Sequence, residues 1–529
     1  MTSAPLTPPP APGQGPAADV RGVLSGVENA LNEAFAPIAE TVSAFVFAEI
    51  MLFGVTFPWI VAWLVLAGAI FTVYFGFVQF RNFPLAIALV RGRLTRDDEP
   101  GEITHFQALT SALSGTVGLG NIAGVGVAVT IGGPGATFWM IVAGLLGMCT
   151  KFVECTLGVK YREIHPDGSV SGGPMQYLRK GIAERIPGNV GKALGRTLAA
   201  LAAVFILFFG IAAGNMFQAN QTFAQLRSVT GGEAGIFGSD GAGLVFGVLL
   251  ALVVGAVIFG GITSIGRVTS RLVPAMGIIY VIACLCVIVA NLSQVPAAIA
   301  AIFSGAFTGA GVTGGAIGAL IVGFQRASFS NEAGLGSAPI AHSAVKTKRP
   351  VTEGYVALLE PFIDTVIICT MTALTIVIAS TPFWRDAQAT VMAGGATPDG
   401  VLVTSDAFAT VMPWFPYVLT VAVALFAIST IITWGYYGQK AWTYLFGMSR
   451  VSERLYQGLY SLFVIAGSVL TLSSVLDFAD AVLFLLALFN IIGLYLLAPI
   501  VQREVRAYRD ELRCGEVQLA RLDPMRPPL

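Results

Sequence analysis

The chain has 529 residues, of which 55% are apolar and only 11% charged, with a mean hydropathy of +0.77. Soluble domains carry about a quarter charged residues, so a soluble enzyme or binding module is excluded, and a formal net charge of zero offers nothing to nucleic acid. Cysteines 149, 155, 284, 286, 369 and 514 show no CxxC or Cys/His metal spacing, so neither disulfides nor a cysteine metal centre is expected.

Residues 1–20, rich in Pro and Ala, read as a disordered tail. They lack a basic stretch ahead of an apolar core and so are no signal peptide. Apolar positions 27, 31, 35, 38, 42 and 45 recur at helical spacing with Glu28, Asn32, Glu33 and Glu40 between them, which predicts an amphipathic surface helix over 22–45. Apolar stretches long enough to cross roughly 30 Å of hydrocarbon follow at 51–80, 106–130, 134–160, 197–226, 242–262, 271–291, 313–345, 354–381, 414–440, 453–473 and 478–502, eleven in all. Alternate connections hold nearly every Lys and Arg, among them Arg91, Arg93 and Arg96, Arg179, Lys180 and Arg185, Lys346, Lys348 and Arg349, and the tail from Arg503. The opposite connections hold only Arg227 and Arg385. The positive-inside rule places the rich side in the cytoplasm, which puts the C-terminal tail 503–529 inside and the N-terminus outside.

The second and seventh spans are unlike the rest. SGTVGLGNIAGVGVA (114–128) holds five glycines and Asn121, and the seventh carries Arg326, Asn331, Glu332, GLGS and Pro339 at membrane depth. Each Gly costs about 1 kcal/mol against Ala in a helix interior, so these spans predict unwound segments, although close helix packing is a competing use of small residues. They stand five spans apart, an odd number, so two such units insert with opposite orientation, as in transporters with inverted repeats. Unwinding frees backbone N–H groups that suit a carboxylate and carbonyls that suit a hard cation.

SALSGTVGLGNIAGVGVAVTIGGPGATFWM (111–140), SGGPMQYL (171–178), GNMFQANQ (214–221) and FSNEAGLGSAPIAHS (329–343) resemble the alanine-or-glycine:cation symporter family over about residues 50–505. The resemblance implies an all-α polytopic membrane protein of LeuT-type fold in a prokaryotic inner membrane. One extra helix (51–80) would precede five-helix repeats over 106–291 and 313–502. It also implies uptake of small neutral amino acids, chiefly alanine and glycine, with co-transported Na+, and no organic cofactor or obligate protein partner. TVGLGN resembles the unwound first core helix of LeuT-type transporters; by that resemblance the amides of Leu119 and Gly120 hold the substrate carboxylate and carbonyls near Ser114 and Val117 face Na+.

Asn121 offers both a donor and an oxygen, or serves as an ordinary interhelical hydrogen bond. Asn215 and Gln218, at i, i+3, are expected to share a face, with Gln218 reaching the substrate. Ser429 and Thr430 are adjacent hydroxyls at membrane depth, suited to Na+ by the resemblance or to bonding their own helix; Trp434, one turn on, walls the pocket or simply packs. Gly323–Ala327 is the expected unwound part of the seventh span, with Ile321, Val322 and Phe324 as its apolar wall. Arg326 with Glu332 and Lys151 with Glu154 are opposite charges at depth, read as cytoplasmic-side pairs or gates. Asp364 serves a cation or bonds the unwound segment; both remain open. A channel would need a pore lined by rings of filter groups, an enzyme a catalytic constellation, and neither is apparent. H+ in place of Na+ is the rival within the same fold.

Overall fold

Twenty-six consecutive helical residues, Gly135–Lys160, cross the middle of the molecule with both ends of the stretch GATFWMIVAGLLGMCTKFVECTLGVK packed against other helices. The computed structural model describes residues 37, 40–52, 55–93, 99–166, 168–239, 241–257, 261–308 and 315–514. Among them, six helices are long and apolar enough to cross a membrane: Gly135–Lys160, Asn189–Val229, Ile265–Ala290, Pro350–Ala379, Phe415–Phe446 and Leu472–Arg513. A seventh is a bent pair, His105–Thr116 and Gly120–Ile131, whose halves meet at 54°. Buried polar side chains cluster where these helices meet, while leucines and valines of Ala242–Val257 and Gly261–Ala290 point outward, as expected for a chain whose outer face meets lipid rather than water.

Several expectations change. The tail 1–20 and most of the segment 22–45 lie outside the described residues; 40–46 are helical, with Val46 buried and Phe47 edge-on to Phe484. The stretch 51–80 is not one long helix. A hairpin pairs Glu49–Leu52 with Val55–Pro58, the helix runs only over Trp59–Tyr74, and Gly76 and Phe77 then take positive φ. Pro58 fits the helix start, since its missing N–H removes no intrahelical bond. At the other end the helix does not stop near 502. It continues to Arg513, with Val505 and Tyr508 buried and Arg349 bonded to Glu511.

The seventh apolar stretch is broken later than expected. Gly315–Asn331 is continuous helix through Gly323–Ala327. The chain then leaves helical geometry at Glu332 (φ 57°), Gly334 (φ 90°) and Gly336 (φ 77°) and resumes as the short helix Ala338–His342. Gly323 is a packing residue: a Cβ there would sit 2.6 Å from the Trp139 Cβ and 2.7 Å from the Ala136 carbonyl. Half-buried Val322 packs on Gly132, and Phe324 lies beside Trp139, so both pack on neighbouring segments and wall no unwound stretch at 323–327.

Arg326 does not pair with Glu332. Its guanidinium bonds Asp480 near the start of Leu472–Arg513, at the end away from the arginine-rich tail, and Gln325 Nε2 adds a 2.7 Å bond to the same carboxylate. Both charges are about 95% buried. Arg326→Ala strands Asp480 without its cation and should cost about 3–5 kcal/mol, read as a lowered unfolding temperature of the purified protein. The double variant Arg326→Ala/Asp480→Ala should regain much of that loss, because no uncompensated charge remains.

Candidate functional site

The two breaks face each other at the centre of the described chain. In the first, the helix His105–Thr116 stops as Val117 turns extended (ψ 94°), and π-helical Gly120–Gly124 restarts it. Stopping frees two amides, and both find side-chain oxygens: Gly118 N–H donates to Asn121 Oδ1 (2.9 Å) and Leu119 N–H donates to Gln218 Oε1 (3.2 Å). Gln218 thus holds an oxygen where the sequence placed a substrate carboxylate, and its amide nitrogen donates back to Ala213 O (3.0 Å).

Backbone and hydroxyl oxygens gather on the other side of the same break. Thr430 Oγ1 donates to Ser114 O (3.0 Å), Ser114 Oγ lies 2.8 Å from Ser429 Oγ, and Thr433 Oγ1 donates to Ser114 Oγ (3.1 Å). All four residues are buried. Thr430 therefore bonds across to the first broken helix instead of to its own turn. Gly118 is what allows this approach, since a Cβ there would lie 2.7 Å from Thr430 Oγ1 and 3.3 Å from Gln218 Oε1. Gly126 serves packing alone: its Cβ would strike Gly400 O at 2.2 Å, where the helix Gly400–Ala409 docks and Thr404 Oγ1 donates to Ile122 O (2.9 Å).

Asn215 does not join Gln218. Its amide donates to Tyr460 O (2.8 Å) on Arg450–Gly467. Residues Ala212–Met216 form a π-helical turn, which widens the helix so that i, i+3 no longer share a face; such turns recur at functional sites.

The second break is tied down by polar side chains. Glu154 Oε2 accepts from Gly336 N–H (3.0 Å), Asn490 Nδ2 donates to Gly334 O (2.8 Å), and Asn331 Oδ1 accepts from Ala333 N–H (2.9 Å). Glu332, a non-glycine at positive φ, is held by Trp434 Nε1 (3.0 Å) and Ser337 Oγ (2.6 Å). Trp434 is completely buried and spans the two regions, with its ring against Phe209 (5.0 Å between centroids). Phe209 and Phe217 both meet Phe329 edge-on, at 6.1 and 5.1 Å. These aromatics, which the sequence did not single out, form the apolar wall beside the break.

Asp364 turns out to be the joint between the breaks. Its carboxylate accepts from Asn121 Nδ2 (2.7 Å) in the first broken helix, Ser330 Oγ (2.8 Å) in the second, and Thr365 Oγ1 (2.8 Å). It sits in the π-helical segment Phe362–Cys369 and is fully buried. Lys151 reaches further than its expected partner: it lies 3.0 Å from Glu360 and 3.9 Å from Glu154.

This arrangement has relatives. The model of the sodium:alanine symporter family matches residues 40–521. The chain is 37% identical to the sodium/alanine symporter AgcS of Methanococcus maripaludis, over 92% of this chain and all of that one. It is 30% identical to the probable sodium/glutamine symporter GlnT of Bacillus subtilis, over 85% of this chain and 87% of that one. Among solved structures it resembles MhsT in complex with L-phenylalanine, with a TM-score of 0.51 at 16% identity, covering 75% of this chain and 89% of that chain, a likeness of fold alone. Two facing helix breaks, a multi-pass apolar architecture and a family match over nearly the whole length lead to one conclusion: the chain belongs to the sodium:alanine symporter family.

Proposed function

We propose that the protein couples Na+ entry to uptake of small neutral amino acids, alanine and glycine, by alternating access. The observation that carries this reading is the oxygen cluster at the first break. One carbonyl (Ser114) and four hydroxyls (Ser114, Ser429, Thr430, Thr433) converge on a few ångströms of buried space, beside freed amides answered by Gln218. Oxygen ligands with no net charge suit a monovalent hard cation. Ser114 and Val117 carbonyls with Ser429 and Thr430 hydroxyls would take Na+. Leu119 and Gly120 amides would take the substrate carboxylate once Gln218 yields, with Asn121 ordering the break. Trp434 and the three phenylalanines would supply the apolar wall that limits the substrate to a small side chain. Val322 and Gly323, packed against neighbouring helices, and Asn215, bonded to Tyr460, have no part in this reading.

The membrane frame that goes with it has eleven crossings, one extra helix followed by two inverted five-helix repeats, and the arginine-rich connections and C-terminus in the cytoplasm. One Na+ charge crossing 100 mV supplies about 2.3 kcal/mol, enough for about fiftyfold accumulation before any Na+ gradient is counted. In purified protein, Na+ and alanine together should raise the unfolding temperature more than either alone, with glycine substituting for alanine. Equal stabilisation by alanine in K+ would remove Na+ from the account.

Asp364 favours a second reading, in which H+ accompanies or replaces Na+. It is a buried carboxylate that accepts from neutral donors on both broken helices. Uptake abolished by a protonophore at constant Na+ and clamped voltage would select this reading; indifference to the protonophore would discard it.

A further inference from the structure

Away from the break, at the ends of the broken helices nearest the arginine-rich loops, two histidines bracket one carboxylate. His105 Nδ1, at the start of the first broken helix, bonds Glu353 Oε2. His342 Nδ1, in the last turn of Ala338–His342, lies 2.5 Å from the other oxygen, Glu353 Oε1. The far side of the His342 ring faces a second carboxylate: Nε2 is 3.5 Å from Glu360 Oε2. His342, Glu353 and Glu360 are all fully buried, and His105 is 3% exposed.

The chemistry of the ring makes this placement informative. A neutral imidazole carries one N–H, so it can donate to one carboxylate and must turn a lone pair toward the other. Only the imidazolium donates to both. Nε2 of His342 and Oε2 of Glu360 have no other hydrogen-bond partner among the described residues, so they have only each other to satisfy. The surrounding charges add to the demand for a cation. Lys151, Glu154 and Glu332 lie within electrostatic reach of Glu360, and Arg162 within reach of Glu353. The neutral groups Cys155 and Tyr437 also face the cluster. With both rings neutral, only Lys151 and, beside Glu353, Arg162 would stand against four buried carboxylates, and an uncompensated buried charge is costly.

We propose that His342 is a proton-binding site loaded from the cytoplasm, and that its proton latches the inner ends of the two broken helices together through Glu353 and Glu360. The proton comes from cytoplasmic water, resides on Nε2, and returns to water when the ring is deprotonated; no other bond is made or broken. With the proton bound, His342 ties both carboxylates and, through Glu353 and His105, the first broken helix. With it lost, Glu360 faces a lone pair and the latch loosens. The sign follows: an acidic interior holds the latch closed and slows the inward-opening step, and an alkaline interior speeds it. The proposal rests on the cytoplasmic orientation and the transport function read above.

The test is Na+-driven alanine uptake into proteoliposomes at clamped voltage, varying interior and exterior pH separately. Uptake should be about fivefold faster with the interior at about pH 9.5 than at about pH 6, a range that extends well above ordinary imidazole titration because the two flanking carboxylates favour the imidazolium, and should change less than about twofold when only the exterior is varied. His342→Gln and, independently, Glu360→Gln should flatten the interior dependence. A carboxamide at either position can satisfy its neighbour without an exchangeable proton. Should neither variant fold, the sidedness of the unaltered protein still decides. Uptake with no interior dependence, or a dependence that survives in a folded His342→Gln variant, overturns the latch while leaving the transport reading intact. No uptake of alanine or glycine at any pH overturns the transport reading and the latch with it.

Discussion

Replacing Thr430 by alanine should raise the Na+ concentration needed for half-maximal uptake by at least about tenfold, the equivalent of about 1.4 kcal/mol. Alanine affinity measured at saturating Na+ should change by less than about twofold. Thr430 Oγ1 is directed at the Ser114 carbonyl rather than at its own helix, so the loss removes one oxygen from the proposed ion site and leaves the Leu119 amide and Gln218 untouched. Thr430→Ser keeps the oxygen and should retain most Na+ activation. An unchanged Na+ dependence in Thr430→Ala would remove this cluster as the ion site.

The second large effect is expected at Gly118. Alanine there adds one methyl group, yet its Cβ would fall 2.7 Å from Thr430 Oγ1 and 3.3 Å from Gln218 Oε1. It therefore intrudes on the ion cluster and on the amide's present partner at once. Overpacking of this size costs about 1–3 kcal/mol of stability, which a large membrane protein survives. Transport should fall by more than about a hundredfold, a change of roughly 2.7 kcal/mol in binding or barrier. Gly126→Ala, which meets Gly400 instead, should lose stability more than Na+ affinity. The two variants compared by uptake and unfolding temperature separate site from packing; equal behaviour would mean that both glycines serve packing.

The residues that break the first helix were readable because their cause is local: Gly118, Gly120 and Asn121 lie within one turn of the chain they interrupt. The second break was misplaced because its cause is distant. Gly323 and Arg326 look like breakers in sequence, but Gly323 is required by Trp139 and Arg326 is neutralised by Asp480, so the helix runs through both. Glu332, an unpromising residue for positive φ, is held there by Trp434 one hundred and two positions away. Asn215 parts from Gln218 and bonds Tyr460 because a π turn leaves no mark in i, i+3 spacing. The sequence leaves Asp364 between serving a cation and bonding the unwound segment; the fold shows a bond to Asn121 there and a second to Ser330, partners from other parts of the chain. Nothing in the sequence ties His105 to His342; only folding sets the two rings on the two oxygens of Glu353.

These differences share a direction. Apolar length and glycine interruptions report what each segment does alone, and from them the multi-pass helical character and the first break could be read. Which polar group answers which freed amide or carbonyl depends on contacts between segments, and there the expectations had to be replaced. The functional reading depends on both levels, because a break without an oxygen cluster beside it would serve only to bend a helix.

The most direct measurement is uptake of labelled alanine by proteoliposomes containing the purified protein, comparing an inward Na+ gradient with an equal K+ gradient at clamped voltage, with and without excess glycine. Concentrative uptake that requires Na+ and is competed by glycine is the predicted result. Alanine uptake of equal rate and extent in the two gradients would contradict it.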